Sequence, residues 1–134
     1  MVKVIMGQKG SGKTKKMIDL INTAVGTEHG NVVAIAHDSK LTFDINYKIR
    51  LVDTSDYIIP NYDTLKGFLY GLYAGNYDIT DIFVDSVLKI GGSDLEALAD
   101  FVGKLGHLNT RVVMSVSADK NEIPARVATL AEEI

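Results

Sequence analysis

The sequence predicts an α/β protein: a three-layer α/β/α sandwich around a mainly parallel sheet. Two observations carry this. Four short runs, "VKVIM" (2–6), "NVVAIA" (31–36), "DIFVD" (81–85) and "RVVMSV" (111–116), are continuously apolar or nearly so, as strands buried on both faces must be. Between them lie segments whose apolar residues recur every three or four positions, the period of a helix packed on one side. Strand and helix in alternation make βαβ units, and those place helices on both faces of a parallel sheet.

Each element follows in order. "VKVIM" reads as the first buried strand. Residues 13–25 read as a helix with Met17, Ile18, Ile21 and Val25 on one face, and Gly26 and Gly30 punctuate its end. "NVVAIA" is the second strand. From 41 to 51 the period changes: Leu41, Phe43, Ile45, Tyr47, Ile49 and Leu51 are all odd-numbered, and the residues between them are polar. Strict alternation predicts an extended segment with one covered face, either a β-hairpin within 41–53 turning near Asp44–Asn46 or a mobile flap. After Pro60, residues 61–74 read as a helix with Leu65, Phe68, Leu69 and Leu72 on one face. "DIFVD" is the third strand. "SDLE" (93–96) predicts a capping box, Ser93 with Glu96, ahead of a stripe of Leu95, Leu98, Ala99, Val102 and Leu105 that Gly106 stops. "RVVMSV" is the fourth strand, and 122–133 is expected to close the chain as a helix bearing Ile123, Val127, Leu130 and Ala131.

At 134 residues, a single domain over 1–134 is expected. Composition narrows the function classes. The net charge of −3 supplies no global basic field and argues against a nucleic-acid partner. The absence of cysteine excludes disulfides and thiolate–zinc sites, and it suits a reducing cytosol. His29, His37 and His107 share no metal-ligand spacing. There is no long apolar stretch near the N-terminus and none that approaches a membrane span, so a cytoplasmic protein is expected.

Residues 7–14, "GQKGSGKT", carry the chemistry. They follow a strand and open a helix, with Gly7, Gly12, Lys13 and Thr14 in the spacing G-x-x-x-x-G-K-[ST]. Bare glycine backbone can wrap an anion closely and aim several N–H groups at it. The helix N-terminus adds partial positive charge. In such a loop Gln8, Lys9, Gly10 and Ser11 complete the cradle, Lys13 reaches the β- and γ-phosphates, and the Thr14 hydroxyl ligates Mg²⁺.

This stretch resembles the Walker A motif of P-loop NTPases, and "DIFVD" resembles the Walker B strand, so the resemblance implies the P-loop fold and gives Asp85 a Mg²⁺-holding role. The guanine-reading Asn-Lys-x-Asp motif is absent, and "DSVL" (85–88) stands where GTPases carry Asp-x-x-Gly, which argues against GTP. The element order is similar to the division with an added strand between the P-loop and Walker B strands. That division implies a spatial order of first, fourth, third, second strand, with Ser115 or Ser117 near the γ-phosphate. The layout also resembles bacterial-type thymidine kinases through "AHDS" (36–39), the 41–51 alternation, "DIFVD" and "TLAEEI" (129–134). Two departures stand out. The zinc-bearing, nucleoside-clamping lasso has no counterpart within the 134 residues, and Ser86 replaces the Glu that follows the Walker B Asp.

Serine cannot act as a carboxylate base, and phosphoryl transfer needs a group that orients the nucleophile. Asp38, just past the second strand, is the candidate substitute, and a loop acid turning with Ser39 is the alternative. The expectation is an Mg-ATP-binding protein and a slow or partner-activated ATPase, a switch whose partner would be another protein. The alternatives are a nucleoside or small-molecule kinase, whose phosphoryl acceptor would sit among 41–51 and Tyr62, Phe68, Tyr70 and Tyr73; a small subunit of an oligomeric secretion or pilus motor, for which only Arg50, Arg111 and Arg126 could serve as fingers; and an inert P-loop interaction module.

Overall fold

The computed structural model describes residues 1–27 and 30–133. Glu28, His29 and Ile134 lie outside the described residues, and with them one of the three histidines and the last residue of "TLAEEI".

Six parallel strands form one sheet: β1 (Val2–Gly7), β2 (Asn31–Ala36), β3 (Arg50–Asp53), β4 (Ile79–Val84), β5 (Arg111–Ser117) and β6 (Ala131–Glu133). Their spatial order is β3-β2-β4-β5-β1-β6. The four strands read from sequence therefore stand in the order first, fourth, third, second, with β5 and β4 between β1 and β2.

The helices are α1 (Lys13–Thr27), α2 (Tyr62–Gly75), α3 (Val87–Gly91), α4 (Leu95–Gly103) and α5 (Ala125–Ala128). Alternate residues of each strand feed two cores. Ile5, Val32, Ala34, Phe83 and Val113 point to one face and meet Met17, Ile21 and Ala24 of α1. Val4, Met6, Val33, Ile35, Ile82, Val84, Val112 and Met114 point to the other, under Leu65 and Leu69 of α2, Val87 and Ile90 of α3, Leu98 and Phe101 of α4, and Val127 of α5. The result is the three-layer α/β/α arrangement, and burial on both faces is why these strands are apolar at consecutive positions.

Three local expectations are corrected. First, residues 41–53 form no hairpin. Lys40–Phe43 is a 3-10 turn, and only Arg50–Asp53 is a strand, paired parallel to β2 at the sheet edge. The odd-numbered residues do not share a face: Leu41 and Ile49 are 4% and 6% exposed, whereas Phe43 and Tyr47 are 91% and 90% exposed. Local turns replace a partner strand. The Asn22 side chain accepts from Asn46 N at 2.8 Å and donates to Asp44 O at 3.1 Å, which fastens this segment to α1.

Second, 122–133 is not one helix. Pro124 caps the four-residue α5, and the chain then runs out beside β1, where Val4 pairs with Ala131 and Met6 with Glu133. The apolar residues of this stretch fit a helical period, but the open edge of β1 offers backbone partners that a helix would forgo. Lys3 Nζ and Glu132 Oε2 close the edge at 2.8 Å.

Third, Ser93 does not cap α4. Asp94 does, its carboxylate accepting from Glu96 N and Ala97 N. The helix begins one residue later than the capping box implies. No helix among the described residues is long and apolar enough to cross a membrane.

Candidate functional site

In a parallel sheet all strands end on the same side, and ligands of such sheets bind beyond those ends. Here the ends of β1, β5 and β4 lie side by side. Gly7 pairs with Ser117, and Val84 pairs with Met114, so the loop after β1 and the turn after β4 flank the end of β5.

The glycine loop leaves β1 at Gly7 and enters α1 at Lys13. Gly10 and Gly12 have φ of +85° and +94°. A side chain at either position would be strained, which is the physical reason that glycine is needed there. The loop is closed by Ser11 N donating to Gln8 O at 3.0 Å. Lys13 folds back over it, its Nζ donating to Gln8 O at 2.8 Å and reaching Ser11 Oγ at 3.5 Å. The lysine is buried, and that burial pulls its pKa below the ordinary value; Asp85 opposes the shift and Lys89 adds to it. An ammonium held by one carbonyl and one hydroxyl can exchange these neutral acceptors for a phosphate oxygen, which is the stronger, charge-assisted partner.

Asp85 follows β4 and is buried. Its N–H donates to Ile35 O at 2.8 Å. Its Oδ1 accepts from Ser115 Oγ at 2.9 Å, and Ser115 Oγ in turn accepts from Ser86 N at 2.7 Å. Asp85 Oδ2 makes no hydrogen bond to a described residue. Ser86 has φ 55° and ψ 55°, a left-handed conformation seen at no other non-glycine position among the described residues. That turn starts α3 immediately past β4, and Ser115 holds the turn and the carboxylate together. Of the two serines singled out in sequence, Ser115 thus holds Asp85, and Ser117 faces open space.

That space is a cleft of about 360 Å³ lined by Lys9, Gly10, Gly12, Lys13, Thr14, Lys15, Ser86, Lys89 and Ser117. Among the described residues four lysines and no carboxylate form its wall, and Asp85 immediately precedes Ser86 of that wall. Thr14 contributes a hydroxyl and Asp85 a carboxylate oxygen, both hard oxygen donors of the kind Mg²⁺ takes beside substrate phosphates. These two residues would hold such an ion.

Asp38 does not line this cleft. Its Oδ1 accepts from Lys40 N at 3.0 Å, closing a local turn, and its Oδ2 lies 3.2 Å from His37 Nε2. The aromatic residues of α2 are occupied in packing. Tyr62 lies against Phe101 and donates to Gly92 O at 2.6 Å, Phe68 meets Tyr57, and the hydroxyls of Tyr70 and Tyr73 reach Lys104 O and Asn109 O. Two of the three arginines are engaged elsewhere: Arg126 with Glu96 and Asp100, Arg111 beside Asp81. Arg50 lines a separate cavity of about 550 Å³ along β3, between residues 39 and 57.

Sequence reasoning missed α3, Ser86 as a left-handed turn, and Lys89. Five residues are too few to show a helical period, and nothing local distinguishes Lys89 from any surface lysine. A scan against protein-family models and a search of curated proteins both returned no match to this chain.

Proposed function

We propose that this chain is a P-loop protein that binds Mg-ATP and hydrolyses it slowly, or only when a partner supplies the missing group. The supporting observation is the grouping at the strand ends. The glycine loop with its left-handed Gly10 and Gly12, the buried Lys13, and Thr14 share one cleft with the turn that follows Asp85. Backbone N–H groups and lysines would meet a polyphosphate, and Thr14 and Asp85 would hold the magnesium that offsets its charge. Bound magnesium would offset charge on the β- and γ-phosphate oxygens.

Slow turnover follows from what the wall lacks. No carboxylate of a described residue lines the cleft, and Ser86 occupies the place next to Asp85. A water there has no strong base to orient it. This composition favours the switch over the kinase, because the β3 cavity and the α2 aromatics share no lining residue with the lysine cleft.

A thermal-shift screen of ATP, ADP, GTP and thymidine, with and without magnesium, tests the reading. Stabilisation by Mg-ATP that thymidine does not reproduce is the expected result. No shift with any nucleotide overturns it. ADP release that rises severalfold on adding a nucleoside would favour the kinase instead.

A further inference from the structure

Lys89 sits in α3, the short helix that the Ser86 turn launches. Its neighbours in that helix are anchored. Val87 and Ile90 are buried in the core under the sheet face, and Gly91 lies beneath the Tyr62 ring. A Cβ on Gly91 would collide with that ring, so only glycine allows the approach. The Tyr62 hydroxyl then holds Gly92 O at 2.6 Å. With this face pinned, Lys89 is left exposed on the side that lines the lysine cleft, opposite the glycine loop.

Lys89 forms no ion pair with a described residue. It shares the wall of that cleft with Lys9, Lys13 and Lys15. Like charges gathered around a cleft with no carboxylate of a described residue in its wall are relieved by an anion between them. The loop's N–H groups and Lys13 already account for the phosphates cradled nearest α1. A second cation in the same wall, Lys89, can meet the terminal phosphate alongside Lys13.

We infer that Lys89 binds the terminal phosphate of the bound triphosphate, so that α3 reads whether that phosphate is present. The inference rests on the triphosphate reading above. It gives the chain a cation of its own, in place of a finger from a neighbouring subunit, on the short helix that the Ser86 turn starts.

The test is calorimetric titration of the unaltered chain, Lys89→Met and Lys89→Arg with Mg-ATP and Mg-ADP. Methionine keeps the length of the side chain and removes the charge. Lys89→Met should weaken ATP about tenfold or more while changing ADP less than about threefold, the loss expected for one charge-assisted hydrogen bond. Lys89→Arg should recover most of the ATP affinity, which a purely structural role would not require. Equal losses for ATP and ADP, or none, overturn the role of Lys89 while leaving triphosphate binding intact. Failure of the unaltered chain to bind either nucleotide overturns the triphosphate reading itself, and this inference with it.

Discussion

Two non-helical stretches of this protein carry conspicuous sequence patterns, and they behave differently. In the glycine loop, residues 7–12, the pattern specifies backbone: Gly10 and Gly12 adopt conformations closed to other residues, and Lys13 is drawn over the loop they create. Along 41–51 the pattern specifies only polarity. Leu41 and Ile49 go into the protein while Phe43 and Tyr47, of the same parity, go into water. A motif defined by steric necessity survives translation into three dimensions. One defined by hydrophobicity alone depends on whether a neighbouring surface exists to receive it.

The largest expected effect breaks the first region. Lys13→Ala should reduce Mg-ATP affinity about a hundredfold or more, since a charged partner of the phosphates is lost. Its thermal stability should stay within about 1 kcal/mol, because the ammonium is partly desolvated in the free protein and its removal relieves that cost. Titration of the variant by calorimetry, beside its melting curve, checks both halves; undiminished affinity would remove Lys13 from the site.

Next, the second region can be split by parity. Leu41→Ala should cost about 2 kcal/mol or more, the usual range for truncating a buried leucine. Phe43→Ser should stay within about 0.5 kcal/mol, as for other exposed positions. Denaturant unfolding of the two variants measures the gap. Equal costs would restore the one-faced strand that the alternation suggests.

Ser115→Ala sharpens the comparison at the strand ends. It leaves Ser86 N–H and Asp85 Oδ1 without their shared hydroxyl. A destabilisation of about 1–3 kcal/mol is expected for buried groups left unpaired. If α3 is held by that hydroxyl, exchange of the Ser86 amide hydrogen should quicken as well.

The smallest effect lies at the end of β3. Asp53 accepts from Ser55 Oγ at 2.6 Å and from Ser55 N at 2.9 Å. The Ser55 side-chain hydrogen bond, then the backbone one, hold its carboxyl below the ordinary value of 3.8. A depressed carboxyl stabilises the fold above its unfolded pKa, and that contribution fades as pH falls through the folded value. Ser55→Ala should therefore move the Asp53 titration upward by NMR and shallow the acid limb of the stability curve. An unmoved titration would discard the hydroxyl as its cause.

Much of the fold is legible in the residues themselves. The four buried strands announce themselves because both faces of each are covered, which removes polar residues from the run. The helices α1 and α2 are legible because each buries one stripe, with Met17 and Ile21 or Leu65 and Leu69 inward. The edge strands β3 and β6 are not. They are short, half solvated and chosen by a vacant sheet edge that no local window contains. Leu130 and Ala131 suit a helix as well as an extended chain until β1 is present beside them.

The candidate site divides the same way. Local chemistry determined the glycine loop, since a tight turn between strand and helix with positive φ at 10 and 12 admits few residue types there. Tertiary structure alone decided what faces that loop. Ser86, Lys89 and Ser117 reach it from the turn after β4, from α3 and from β5, seventy or more residues distant along the chain, because parallel strands end on one side and β5 lies between β1 and β4. Asp38 ends a strand on that side too, yet β4 and β5 stand between it and the loop, and its carboxylate is spent on its own turn. Strand order is a property of the folded sheet as a whole, and no stretch of sequence near either residue encodes it.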